Sequence, residues 1–249
     1  MPFPATRPRW GVRLSLLALL LLLTWALWSL SGARRFQLFG ALLWRGQTQQ
    51  KVVALSFDDG PHAAGTGPLL DVLADRGVRA SFFLIGRDLA GAPELGRRIA
   101  AAGHEIGNHS WSHRRMLFKS PAFMAAELAR TDALIRAVGH LGPIHFRPPY
   151  GKRLVILPWV LAQQQRLTVM WDIEPESDPA VDGDTDAIVR HVLERVQPGS
   201  IILLHPMYPS RGASLAAVPR IIDALHALGF RFVTVEEMRQ LSTDSRRRL

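Results

Sequence analysis

Two acids stand side by side in "VVALSFDDGPH", Asp58 and Asp59, at the end of an apolar, β-branched run. Asp, Gly and Pro all form turns, which accounts for Gly60 and Pro61 but not for a doubled carboxylate. Further on, "HSWSH" places His109 and His113 four residues apart, a spacing that brings both imidazoles to one metal ion if the backbone turns helically. Two His and one Asp form a three-ligand site with open positions for water and substrate, and such a set accepts zinc, cobalt or manganese. "FRPPYG" holds Arg147 on a stiff Pro-Pro segment, suited to pairing with one carboxylate of the Asp pair. "IILLH" ends an apolar run in His205, a candidate acid or base.

These groups need a scaffold that delivers them to one place. Runs with strand character cover Val52–Phe57, Ala80–Ile85, Glu105–Asn108, Ile144–Phe146, Leu167–Trp171, Ser200–Leu204 and Phe230–Val235. Helical patterns fall between them at Gly67–Arg76, Glu94–Ala102, Ala122–Val138, Asp184–Val196 and Leu215–Leu228. Strand and helix alternating in this way predict an α/β fold with a parallel sheet, either a barrel or a doubly wound sheet. Asp58, Asp59, His109, Arg147, Asp172, Glu174 and His205 then all lie at strand C-terminal ends, where a parallel barrel builds its active site.

The chain of 249 residues carries a net charge of +9, but residues 1–51 hold seven Lys and Arg and no acid. The basic tail at 244–249 adds three Arg against one Asp, so the body between these flanks carries no net formal charge. Basicity confined to the ends excludes a polyanion-binding domain, and no nucleic-acid partner is expected. Cysteine is absent, so any metal must be held by His and carboxylate.

Between Arg13 and Arg34 lies "LSLLALLLLLTWALWSLSGA", an uncharged stretch of 20 residues. At ~1.5 Å per residue it just spans a ~30 Å hydrocarbon core. The sequence predicts a single-pass anchor over 1–33 with the following domain outside the cytoplasm. The alternative is a signal peptide cleaved near Ala33, which leaves the domain secreted or periplasmic. Residues 34–51 read as a linker, followed by a catalytic domain over 52–243.

As a set, "SFDDGP", "GHEIGNHSWSH", "FRPPYG" and "IILLH", in this order and spacing, resemble the polysaccharide deacetylase family, the chitooligosaccharide deacetylase homology domain of carbohydrate esterase family four. The resemblance covers about Val52 to Gln240. It implies a distorted (β/α)7 barrel and a metal-dependent hydrolase that removes N-acetyl or O-acetyl groups from an envelope or extracellular glycan. It further implies Asp59, His109 and His113 as ligands of a divalent metal, usually zinc, with Asp58 as general base and His205 as general acid. Arg147 would hold Asp58, and the backbone N–H of Tyr150 would face the oxyanion. Tyr150, Trp111, Tyr208 and Leu203 are the candidates for contact with the glycan.

One motif departs from the family. Where an Asp-Trp pair usually orients the catalytic His, this chain has "WDIEPESDP", with Ser177 at the Asp position. Glu174, Glu176 and Asp178 are the candidate replacements. The departure leaves two other readings open, a non-catalytic membrane-tethered carbohydrate-binding domain and an amide hydrolase of the same barrel acting on a small non-sugar substrate.

Overall fold

Apolar residues at every position from Val52 to Phe57 but Ser56 dictate a strand covered on both faces. In the computed structural model, which describes residues 9–247, Val52–Asp58 is a strand buried at all seven positions. The first eight residues of the expected anchor and the last two of the basic tail lie outside the described residues.

The chain opens with α1 (Arg9–Ser31) and a short β1 (Leu42–Leu43), then β2 (Val52–Asp58), α2 (Ala63–Asp75), β3 (Ser81–Leu84), α3 (Gly86–Gly91), α4 (Pro93–Ala101) and β4 (Glu105–Asn108). After α5 (Pro121–Ala137) and α6 (Ile156–Gln163) come β5 (Thr168–Val169), α7 (Thr185–Arg195), β6 (Ile201–Leu204), α8 (Gly212–Ala227), β7 (Arg231–Phe232) and α9 (Val235–Arg247). Side chains start the helices: His62 Nδ1 accepts from Ala64 N on α2, Ser120 Oγ from Phe123 N on α5, and Asp184 Oδ1 from Ala187 N on α7.

Every strand pair is parallel. The sheet runs β4-β3-β2-β6, and single bridges continue it: Asn108 to Phe146, Phe146 to Thr168 on β5, and Ile173 to Ile202 on β6. The path returns to its start, so the sheet closes into a distorted barrel. β7 pairs with the first two residues of β2.

The strand period of two sorts the core. Val53, Leu55 and Phe57 of β2 pack outward with Phe82, Leu84, Ile202 and Leu204 against the helices. Val52 and Ala54 point inward with Phe83, Ile201, Leu203 and Val169. Each fully buried large apolar side chain stabilises by about 1.5–3 kcal/mol. Asp58 falls on the inward set, so the barrel interior ends in a carboxylate at its C-terminal mouth.

Several expected elements contract. Ile144–Phe146 is reduced to bridges at Phe146, and the strands expected over Leu167–Trp171 and Phe230–Val235 keep two residues each. Three helices go beyond the sequence reading: α3 is only six residues long, α6 (ILPWVLAQ) has almost no polar face, and α9 runs on into the basic tail. The stretch read as a linker joins the sheet, with Leu42 and Leu43 paired to Thr168 and Val169 and Gly46 N donating to Gly199 O at 2.8 Å.

Gly65 on α2 lies directly against the carbonyl oxygens of Pro206 and Met207, where a Cβ would overlap backbone that cannot swing aside. Gly65→Ala is expected to cost about 1–3 kcal/mol, which lowers Tm by about 2–4 °C per kcal/mol in a chain of this size. Gly91→Ala meets nothing within 4 Å and should leave Tm almost unchanged in the same thermal melt.

Candidate active site

At the end of β2 the chain leaves the sheet through Asp59, whose φ of 74° is unusual for a residue with a side chain. Ser110, His113 and Tyr150 also have positive φ, at 65°, 55° and 59°. Backbone in this region costs about 1–3 kcal/mol per residue and persists where the surroundings enforce it. Four such residues gather in the loops at the barrel mouth.

The His loop shows how the enforcement works. Asn108 Oδ1 accepts from Ser110 N at 2.8 Å, and Ser110 Oγ accepts from His113 N at 3.0 Å. Ser112 donates through N and Oγ to Glu127 Oε2 on α5, at 2.8 and 2.9 Å. The turn is therefore irregular and pinned by side chains, not helical as the spacing of four suggested, yet it brings the two imidazoles to 4.9 Å between centroids.

Asp59 Oδ1 lies 3.3 Å from His113 Nε2 and 3.7 Å from His109 Nε2, and the ligand atoms of the three residues fall within 4.8 Å of one another. His109 Nδ1 is 2.7 Å from the Arg147 carbonyl, so it carries the hydrogen and leaves the Nε2 lone pair facing the carboxylates. Burial first, then the neighbouring His113, hold the His109 pKa down to about 3, and the ring is neutral, as a metal ligand must be. Asp59 Oδ1 is buried without a hydrogen-bond partner among the described residues. A buried carboxylate oxygen without a partner, facing the Nε2 atoms of two imidazoles, suits a cation, so the residues fit a divalent metal at Asp59, His109 and His113.

Asp58 is held differently. Its Oδ1 accepts from Arg147 Nη1 at 2.6 Å, and its Oδ2 lies 3.6 Å from His109 Nε2. Arg147 is fully buried, with its guanidinium 4.0 Å from the Phe83 ring centroid and 5.4 Å from that of Trp171. The two adjacent acids therefore have separate partners, a cation already in place for Asp58 and a three-ligand cage for Asp59.

His205 also lines the cleft. Glu176 Oε2 accepts from both His205 N at 2.8 Å and His205 Nδ1 at 2.7 Å. Burial alone would lower the His205 pKa, but the hydrogen bond and charge of Glu176, with the charges of Asp58 and Asp59, raise it to about 9. The ring is protonated at neutral pH.

Of the three acids near the missing Asp-Trp, Glu176 in the short turn Pro175–Ser177 is the one beside His205. Glu174 instead accepts from Arg34 Nη2 and Trp171 Nε1, and Asp178 Oδ1 accepts from Ala180 N in an exposed turn. Asp172 is taken by Ser200 Oγ and Ile201 N.

The cleft, about 340 Å³, has walls of Tyr150, Met170, Trp171 and Leu203, while Gly32, Arg34, Lys152 and Ser177 also line it. Tyr150 and Leu203 stand where the sequence put them. Trp111 and Tyr208 do not reach the lining: Arg130 stacks on the Trp111 ring at 3.3 Å, and the Tyr208 hydroxyl donates to Asp88. Trp171 and Met170 were missed as wall residues, because in sequence they read only as the end of a strand. A larger depression of about 510 Å³ lies beside Ile144 and Leu167, at the N-terminal end of the strands. Its charged groups are already partnered: Arg166 with Asp132, Arg239 and His145 with Glu236, and Arg136 with the carbonyls of His140 and Gly142.

The polysaccharide deacetylase family model matches residues 45–168. A peptidoglycan-N-acetylglucosamine deacetylase of Bacillus cereus is 35% identical over 207 residues, covering 82% of this chain and 74% of that protein. A chitooligosaccharide deacetylase of a Bradyrhizobium species is 37% identical over 190 residues, covering 72% of this chain and 86% of that protein. Among solved structures, a peptidoglycan N-acetylglucosamine deacetylase superposes with a TM-score of 0.75 at 33% identity, covering 80% of this chain and 92% of the other. Sequence and backbone agree across nearly the whole barrel, and the chain belongs to the polysaccharide deacetylase family.

Proposed function

We propose that the protein is a metal-dependent hydrolase that removes N-acetyl groups from an amino-sugar glycan of the cell envelope, releasing acetate. One observation carries the reading: a carboxylate held by Arg147 and an imidazolium held by Glu176 line one cleft beside a three-ligand cage. That arrangement supplies a base and an acid to one reacting centre. Glu176 takes the orienting role that the missing Asp-Trp left open, which removes the motif-based reason for a non-catalytic carbohydrate-binding domain.

Asp58 Oδ2 takes a proton from water as the water oxygen adds to the acetyl carbonyl carbon. The metal, with zinc as the expected ion, lowers the pKa of that water and polarises the carbonyl when bound at Asp59, His109 and His113. The backbone N–H of Tyr150 faces the oxyanion. His205 passes its proton to the nitrogen as the C–N bond breaks, giving acetate and a free amine. An amine leaving group needs that proton, which favours N-acetyl over O-acetyl substrates and fits the raised His205 pKa.

The apolar α1 holds a stretch over Trp10–Ser31 long and apolar enough to cross a membrane and almost wholly exposed, and it is read as the membrane anchor. Retention is favoured over cleavage near Ala33, because Arg153 is bonded to the carbonyls of Ser31, Ala33 and Phe36 on either side of that point. The substrate is therefore an extracytoplasmic glycan.

Acetate release by the full-length chain in detergent, on N-acetylated oligosaccharides, tests the activity. Asp58→Asn should lose roughly 10²–10⁴-fold in turnover while retaining its metal by elemental analysis, and His113→Ala should lose the metal itself. Near-normal turnover in Asp58→Asn would overturn the base assignment. Glu176→Gln removes the charge that holds the proton on His205. The alkaline limb of the rate profile, expected near pH 9 in the parent, should therefore move toward the ordinary His value of ~6.5. An unmoved limb would remove His205 as the acid.

A further inference from the structure

The end of α1 is built into the wall of the cleft. Gly32 and Arg34, one and three residues beyond the helix, line the cleft, and Arg34 pairs with Glu174, which also holds Trp171. Arg153, buried and without an acidic partner among the described residues, donates to Ala33 O at 2.7 Å and Phe36 O at 3.1 Å, and its backbone N donates to Ser31 O at 2.8 Å. The same guanidinium donates to Gly151 O at 3.3 Å, beside Tyr150. Lys152 sits 4.2 Å from the Trp28 ring of α1. No spacer separates the membrane span from the catalytic cleft.

Around this junction the surface is apolar and aromatic. Phe36, Leu38 and Phe39 are 51%, 46% and 42% exposed, and Val155, Ile156 and Trp159 are 43%, 36% and 44% exposed. Ile156 and Trp159 share the outer face of α6 with Val155 just before its start, while Leu157, Pro158, Val160 and Leu161 face inward, so this helix is apolar on both sides. The two groups adjoin, because Gly40 lies against Ala162 of α6, where a Cβ would come within 3.2 Å. Exposed Arg35 precedes Phe36 in the chain, and exposed Arg115 lies over the Tyr150 ring near Lys152. Aromatic and aliphatic side chains beside cations at the end of a membrane span match the chemistry of a bilayer interface.

We propose that the mouth of the cleft rests on the bilayer surface through Phe36, Leu38, Phe39, Val155, Ile156 and Trp159, and that the substrate is an acetylated glycan still attached to a lipid in that bilayer. The proposal rests on the deacetylase and anchor readings above. A cleft fixed beside its own membrane span meets the sugars next to a lipid headgroup at high effective concentration. Arg35, Arg115 and Lys152 face the anionic linkage of such a lipid.

The test uses the full-length chain in lipid nanodiscs and exploits the absence of cysteine to label single positions. A polarity-sensitive dye at Phe39→Cys or Ile156→Cys should be quenched by spin-labelled lipid, like one at Leu20→Cys within α1. A dye at Leu141→Cys or Leu228→Cys, on turns at the opposite end of the barrel, should be quenched only from water. Leu20 in lipid with Phe39 and Ile156 in water overturns the docked cleft and spares the anchor; all positions in water overturns both. In the same discs, kcat/KM for a polyprenyl-phosphate-linked N-acetylated disaccharide should exceed that for the free disaccharide by about tenfold or more. Replacing Phe39, Ile156 and Trp159 by Ser should remove that advantage and spare turnover of the free sugar. Equal rates on both sugars, or faster turnover of long wall-type polymer, overturn the lipid-linked substrate while leaving the deacetylase reading intact. No acetate from any of them overturns that reading and the substrate with it.

Discussion

The buried pair of Arg147 and Asp58 is the contact on which the mouth of the barrel depends. A carboxylate at the end of an inward-facing strand register would be costly without a cation, and removing one partner of a buried pair commonly costs about 3–5 kcal/mol. Arg147 meets that cost from the side, wedged between Phe83 and Trp171 with its charge on Asp58. Its carbonyl fixes the tautomer of His109. One residue thus holds Asp58 and orients His109, so the Asp58 pair and the Asp59–His109–His113 cluster cannot be varied independently. Asp59 is free for a metal because Asp58 already has its cation.

The opposite side of the cleft follows the same logic with the charges reversed. His205 follows the inward-facing Leu203 at the end of β6, and Glu176 accepts from both its backbone and its ring, which fixes the imidazole at two points with one oxygen. A carboxylate held by a guanidinium and an imidazolium held by a carboxylate serve one cleft. Glu176 and the nearby carboxylates hold the proton on His205 while Arg147 pairs with Asp58, and that division supplies an acid and a base to one cleft.

The residues at strand ends were legible because the period of a strand fixes which way its last side chain points. Asp58, His109, Arg147 and His205 reach the mouth for that reason, whereas Asp59 and His113 are carried there by positive-φ turns beyond the strand ends. What escaped the sequence depends on partners distant along the chain. Trp111 and Tyr208 look like sugar platforms until Arg130 and Asp88 occupy them. Glu176 was one of three acids within five residues, and only the short turn at Pro175 separates its direction from those of Glu174 and Asp178. Residues 34–51 read as a linker because the strand that receives them, Thr168–Val169, lies more than a hundred residues away and is itself only two residues long.

The segment from Phe146 to Arg153 ties these strands of argument together. Within eight residues it carries a sheet bridge, the arginine that holds Asp58, two prolines that remove backbone freedom, a wall residue in Tyr150, and the arginine that grips the end of α1. Both arginines are almost fully buried, and each spends its donors on a different part of the molecule. Arg147 faces the chemistry and Arg153 faces the anchor, with only the stiff Pro148–Lys152 turn between them. A displacement of the anchor relative to the barrel must therefore pass through the wall of the cleft before it can be absorbed elsewhere. The loop that carries Arg147 and Tyr150 to the cleft is the same loop that holds the end of α1 against it.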